Sequence, residues 1–252
     1  MKIKALIFDV DGTLADTEEA HRRAFNQAFE QQRLEWHWSP DEYARLLKVT
    51  GGKERIGAYV DSLTVGAAER HALQARISAI HEAKTENFTQ LVREGLVPLR
   101  EGVARLIEEA ERAGVRLSIA TTTTLGNIEA LLSVNLGRGA LDRFSVIGAG
   151  DQVRHKKPAP DIFEYVLKEL QERAADCVAI EDSANGLAAA KGAGLFTVVT
   201  PSRWTSGEDF RGADLVVTSL GSSAHPLRDI ENHFSLAREW GRLPGSSAVG
   251  EI

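Results

Sequence analysis

At 252 residues the chain is long enough for a full hydrophobic core, most simply one domain carrying an insert. Its 43% hydrophobic and 26% charged residues are those of a soluble globular protein, and a net charge of −6 argues against nucleic acid or a membrane surface as partner. A single cysteine, no leader pattern at the N-terminus and no apolar run of spanning length make a reducing, cytoplasmic compartment the expectation.

The first element, Lys4 to Phe8, reads as a buried parallel strand: a short apolar run that ends in Asp9 and Asp11. Gly12 permits a sharp turn, so both acids lie at the strand's carboxyl end, where open α/β sheets bind ligands. Residues i and i+2 of an extended chain point to the same side, so the two carboxylates face one site. Anions held that close call for a cation between them or a shared proton. A hard, oxygen-preferring ion such as Mg²⁺ suits them. Taken alone, the stretch also reads as an Asx-rich turn.

From Glu18 to Glu94 the periodicity is helical throughout. Ala20, Ala24, Phe25, Ala28 and Phe29 recur at helical spacing. Ser39-Pro40-Asp41-Glu42 is a helix start with a capping box. The run Thr50 to Arg55 breaks that helix, Ile56, Tyr59 and Val60 mark the next, and one long helix is expected from about Ala67 to Arg93, stopping at Gly95. Beyond it, helices (from Val103 to Gly114, Asn127 to about Ser133, Asp161 to Leu170, Ala184 to Ala193) alternate with strands at Val115, Phe144, Cys177, Phe196 and Leu215. This alternation predicts βαβ units and a Rossmann-like parallel sheet. The fold class is therefore α/β, with residues 1–16 and 95–252 as a discontinuous core and 17–94 as an inserted all-helical unit. After about Gly221 the tail holds one amphipathic piece, Ile230 to Trp240, of no readable role; the last residues are expected to be disordered. Cys177 reads as a small buried hydrophobe.

Three further strand ends carry chemistry. Thr121-Thr122-Thr123-Thr124, just before a helix, offers hydroxyls and N–H groups to a phosphoryl oxygen, or is a threonine-rich turn. Pro158 biases Lys157 toward an extended backbone, which would place an ammonium rigidly; solvated surface lysines are the bland reading. Glu181 and Asp182 would complete an oxygen shell begun by Asp9 and Asp11, or cap the following helix with Ser183.

Together Asp-x-Asp-Gly-Thr, the threonines after the second strand, Lys-Pro and Glu-Asp resemble the haloacid dehalogenase superfamily of phosphotransferases, in the subgroup with a helical-bundle cap. The resemblance implies Asp9 as nucleophile, Asp11 as general acid–base, and Thr121 and Lys157 completing the catalytic set. It implies Mg²⁺ held by Asp9, the carbonyl of Asp11, Asp182 and Glu181, and phosphate held by Thr121, Thr122 and Lys157. Glu18, His21, Gly52, Lys53, Arg55, Lys84, Thr123 and Thr124 are the expected substrate-binding residues. Lys53, Arg55, Lys84 and His21 would form a basic pocket on an acidic protein, suited to a second phosphate, although solvated helix charges read the same way. Asp16-Thr17-Glu18 with His21, the Gly51 to Arg55 stretch and the threonine run resemble the CbbY-type sugar-bisphosphate phosphatases of carbon fixation. That implies a small anionic phosphorylated sugar, xylulose 1,5-bisphosphate, as substrate. Beta-phosphoglucomutase shares Thr17, His21 and a lysine matching Lys84, and phosphoglycolate is a third substrate to weigh. A silent binding module would lack Asp9 or Asp11, and both are present. The oligomeric state is left open, a monomer being favoured.

Overall fold

In the computed structural model, which describes residues 2–150 and 152–239, the first apolar run becomes β1 (Ala5–Phe8), with all four residues buried. It lies inside a six-stranded parallel sheet with β2 (Arg116–Ala120), β3 (Phe144–Gly148), β4 (Cys177–Glu181), β5 (Phe196–Val199) and β6 (Leu215–Val216), in the order β3-β2-β1-β4-β5-β6. The order reverses direction at β1, so the crevice beyond its carboxyl end is the topological switch point.

Period-two alternation divides β1 between two layers. Leu6 and Phe8 face α6 (Val103–Ala113), α7 (Leu125–Leu136) and α10 (Pro226–Glu239), whereas Ala5 and Ile7 face α8 (Asp161–Leu170) and α9 (Ala184–Gly192). The tail piece of unreadable role is α10; Ile230 and Phe234 bury against the sheet, with Phe234 edge-on to Phe196 at 5.3 Å. Trp240 and the residues after it lie outside the described residues.

Between β1 and β2 stand α1 (Glu18–Gln31), α2 (Pro40–Leu46), α3 (Gly52–Ser62), α4 (Ala67–Ala75) and α5 (Ile77–Arg93). The Ser39 hydroxyl accepts the Glu42 N–H as the capping signature requires. The single long helix expected from Ala67 to Arg93 is two. Arg76 breaks it with φ −91° and ψ −9°, and its guanidinium reaches across to the Gln32 carbonyl. A long-range contact thus overrides an uninterrupted helical pattern. Likewise α7 is longer than expected, because Thr124 caps it three residues ahead of Asn127.

Phe25, Phe29, Trp38, Tyr43, Ile56 and Val60 form the bundle's own aromatic core, while Ala20, Ala24, Phe88 and Leu91 at its base join the core of the sheet. The chain leaves for the bundle and returns from it at one point. Ala15 bridges Leu99 in antiparallel fashion, and the Arg100 N–H donates to the Leu14 carbonyl at 2.9 Å.

Candidate active site

Register brings the motif residues level. Phe8 pairs with Ile119 on one side and Ile180 on the other, and the Asp9 N–H donates to the Ile180 carbonyl at 3.0 Å. Asp9, Ala120 and Glu181 therefore end their strands side by side. Lys157 closes the group from the loop before α8: its Nζ lies 2.7 Å from Asp9 Oδ1, 2.6 Å from Glu181 Oε1 and 2.8 Å from the Ala120 carbonyl. Carboxylate oxygens of Asp9, Glu181 and Asp182 lie within 4.8 Å of one another, all in buried residues.

One ammonium does not balance three buried carboxylates. Burial, with the nearby charges of Glu181 and Asp11, pushes the Asp9 carboxyl up to about 7 even against Lys157. Asp182 is raised well above the carboxylate range by burial and by Asp9 and Glu181. Lys157 itself is held above the usual lysine range, the two carboxylates outweighing its burial. An all-oxygen donor set short of positive charge fits a hard divalent cation. Two glycines make the crowding sterically feasible. A Cβ on Gly12, which has φ +80°, would fall 2.1 Å from Asp182 Oδ2, and one on Gly186 would fall 1.9 Å from Glu181 Oε2.

The Asp11 side chain turns away from this cluster. Its Oδ1 accepts from Thr17 Oγ1 at 2.6 Å and stands 2.9 Å from His21 Nε2, so the inserted bundle grips it. Burial opposes ionisation of Asp11, yet the charge and hydrogen bond of His21, with the bond from Thr17, hold its carboxyl below the usual range. Burial and Lys84 depress His21, whose ring stacks on Phe88 at 3.9 Å.

Thr122, Thr123 and Thr124 line the cavity, and Thr121 stands behind them, its Oγ1 accepting the Thr123 N–H at 3.2 Å. Thr124 caps α7 through the Asn127 N–H, and Asn127 Nδ2 donates to Thr123 Oγ1 at 2.9 Å. Asn127 was not among the expected site residues, although its place three residues after a threonine cap was a readable signal.

A cavity of about 510 Å³ separates the strand ends from the bundle. Glu18 lines it while accepting from the Tyr43 hydroxyl at 2.7 Å. Arg55 also lines it, but its Nε is engaged by the Leu46 and Val49 carbonyls and its Nη1 reaches Tyr43 Oη at 3.1 Å. Lys84, only 5% exposed, lies 5.1 Å from the Phe25 and the Phe88 ring centroids, and burial lowers it to about 8. Lys53 is exposed at the rim, and Gly52 sits so close to His81 that a Cβ would fall 2.6 Å from its ring nitrogen. The expected basic pocket thus divides into buried Arg55 and Lys84 and a solvated Lys53. The bundle is closed on the sheet: Lys156 Nζ meets Glu54 at 2.8 Å, and Asn185 Nδ2 meets Thr50 Oγ1 at 3.0 Å. Arg100, also unforeseen, clasps the Gly12, Thr200 and Pro201 carbonyls from the returning strand of the linker. Burial pushes the Cys177 thiol up to about 12, consistent with a packing role.

The family model of the haloacid dehalogenase-like hydrolases matches residues 3–194. The chain belongs to that family. Protein CbbY of Rhodobacter capsulatus is 48% identical over 224 residues, spanning 89% of this chain and 96% of that protein. Beta-phosphoglucomutase of Bacillus subtilis is 30% identical over 217 residues, spanning 85% and 89%. The crystal structure of CbbY from Rhodobacter sphaeroides in complex with phosphate matches at a TM-score of 0.82 and 50% identity, covering 87% of this chain and 95% of that one. A variant of the same protein in complex with xylulose 1,5-bisphosphate matches at 0.82 and 48%, covering 88% and 96%. This haloacid dehalogenase-like hydrolase is of CbbY type, and it is an enzyme of the phosphatase class.

Proposed function

We propose that the protein hydrolyses a phosphate ester of xylulose 1,5-bisphosphate through an aspartyl-phosphate on Asp9. The observation that carries this is the pairing of Asp9 with Lys157 at 2.7 Å on the floor of a cavity lined on its other side by Arg55 and Lys84. A reacting phosphate and a second, distant one each meet cationic groups there. Residues 1–16 and 95–252 act as the core, and residues 17–94 as the cap that selects the substrate.

Lys157 favours the anionic form of Asp9 against the burial that raises it, and balances charge on the incoming phosphate. An Asp9 oxygen attacks phosphorus, the bond from phosphorus to the sugar oxygen breaks, and Asp11 delivers a proton to the departing oxygen. Water then attacks the same phosphorus and gives its proton to Asp11, and the bond to Asp9 breaks to release inorganic phosphate. Asp11 must therefore arrive protonated. A bound phosphate dianion raises its affinity for the proton, and Thr17 and His21 aim it. Thr122, Thr123 and Thr124, which line the cavity, offer hydroxyl groups to the phosphoryl oxygens. Asp9, Glu181 and Asp182, with the Asp11 carbonyl, would hold Mg²⁺, which when bound supplies charge that offsets the repulsion between carboxylate and phosphate. The closed bundle excludes bulk water.

A mutase reading draws on the grip of Thr17 and His21 on Asp11, two residues this chain shares with beta-phosphoglucomutase. Phosphoglycolate would leave most of a 510 Å³ cavity unfilled. The deciding experiment measures Mg²⁺-dependent phosphate release over a panel of sugar mono- and bisphosphates beside isomerisation of β-glucose 1-phosphate. Xylulose 1,5-bisphosphate should give the highest kcat/KM; faster isomerisation than hydrolysis would overturn the proposal.

A further inference from the structure

The loop after β5 joins the sheet to the bundle, and its Trp204 takes no part in the reaction as proposed. On the sheet side the loop is anchored at the acids. Thr205 Oγ1 donates to Asp182 Oδ2 at 3.2 Å, the Ser202 N–H donates to Thr205 Oγ1 at 2.9 Å, and Glu208 accepts the Ala184 N–H at 2.6 Å. Trp204, half-buried between these anchors, leaves its own layer and packs against the aromatic core of the bundle. Its ring meets Tyr43 edge-on, with centroids 5.6 Å apart and planes at 86°, and the Arg203 guanidinium lies over it at 4.9 Å.

Tyr43 is fully buried, and its hydroxyl links two cavity-lining charges. It donates to Glu18 at 2.7 Å and accepts from Arg55 Nη1 at 3.1 Å. Rotation or displacement of the Tyr43 ring would release both. The bundle's own residues hold three sides of that ring, namely Phe25, Trp38 and the Arg55 guanidinium at 5.3 Å; the fourth partner comes from the sheet.

We propose that Trp204 is a positioning residue: through Tyr43 it fixes Glu18 against the sugar and Arg55 against the second phosphate of the substrate once the bundle has closed. The inference rests on the sugar-bisphosphate reading for its substrate but not for its logic. Recognition by the bundle is completed by a side chain of the sheet, so a molecule too small to need Glu18 and Arg55 should not sense Trp204. An edge-to-face pair of this kind amounts to roughly a tenfold factor.

The test compares xylulose 1,5-bisphosphate with a plain aryl phosphate. Trp204→Leu should lower kcat/KM for the bisphosphate about tenfold, while the aryl phosphate stays within twofold of wild type, and Trp204→Phe should recover most of the loss. Tyr43→Phe keeps the ring contact but removes the hydroxyl, and should lower the bisphosphate value by a similar factor. Because both act along one chain of contacts, the double variant should be no worse than the poorer single one. An equal loss on both substrates, or single effects that multiply, would overturn the proposal. If Trp204→Leu does not fold, the ratio is read from Trp204→Phe and Tyr43→Phe. Should wild type ignore xylulose 1,5-bisphosphate but cleave another sugar phosphate, the functional proposal fails and the same ratios are measured on that sugar.

Discussion

His21 Nε2 and Asp11 Oδ1 meet at 2.9 Å, one from the first helix of the inserted bundle and the other from the loop after β1. The group proposed to move protons is therefore assembled from both parts of the molecule. Asp11→Asn keeps the shape and both partners but cannot carry the proton. It should lower kcat about 10²- to 10⁴-fold while substrate affinity, measured by calorimetric titration, changes little. Near-normal turnover would remove Asp11 from the mechanism.

Lys157 bridges two buried carboxylates, and removing it leaves them facing each other unpaired. Breaking such an arrangement from one side costs about 3–5 kcal/mol, which corresponds to a melting temperature roughly 10 °C lower. Without the ammonium, the folded chain holds a proton on Asp9 that the unfolded chain releases. The variant then loses stability as pH rises. The deficit of Lys157→Met relative to wild type should accordingly shrink between pH 7 and pH 5 in thermal melts, and a constant deficit would contradict the account.

For Lys84 the sign is reversed. Burial lowers it to about 8 from an ordinary value of 10.5. At pH 7 both folded and unfolded chains carry its proton, and keeping the ammonium buried costs roughly 3 kcal/mol. Between these two values the unfolded chain binds more protons, so the cost is relieved as pH rises. Lys84→Met should melt higher than wild type at pH 7, with the gain fading toward pH 10.5. The same variant should raise KM for a bisphosphate, and the wild-type KM should climb as pH passes about 8.

The acid cluster makes a prediction about metal that needs no turnover. With burial raising Asp182 and holding Asp9 at about 7, the folded cluster binds protons more tightly than free carboxylates do. Loading with Mg²⁺ must displace those protons. Titration calorimetry in two buffers of different ionisation enthalpy should register net proton release on loading. Asp182→Asn should abolish the rise in melting temperature that Mg²⁺ brings to wild type.

Strand periodicity, breaking glycines and the four motif loops were legible because each is a local signal. Asp9, Lys157, Glu181 and Asp182 converge because parallel pairing levels the strand ends, and the alternating pattern predicts that pairing. What escaped was long-range. Nothing around Arg76 marks a break, which follows its reach to Gln32. Arg100 is an ordinary charge until the chain returns beside Gly12. Arg55 was expected to join a basic pocket facing a second phosphate, whereas its Nε is committed to the Leu46 and Val49 carbonyls of the preceding turn. Thr200, Ser202 and Thr205 form a hydroxyl cluster after a strand end much like Thr121 to Thr124, and its reach to Asp182 depends on the fold.

Ala15 and Leu99 touch where the chain departs and returns. The ends of the excursion are already joined, so the entropy of closing it grows only slowly with the length of polypeptide between them. A different lid grafted at these two positions would leave the esterification centre intact and change only which molecules reach it. Thr17 and His21, which hold Asp11, would have to travel with the graft, as would the base residues Ala20, Ala24, Phe88 and Leu91 that fill the sheet's core.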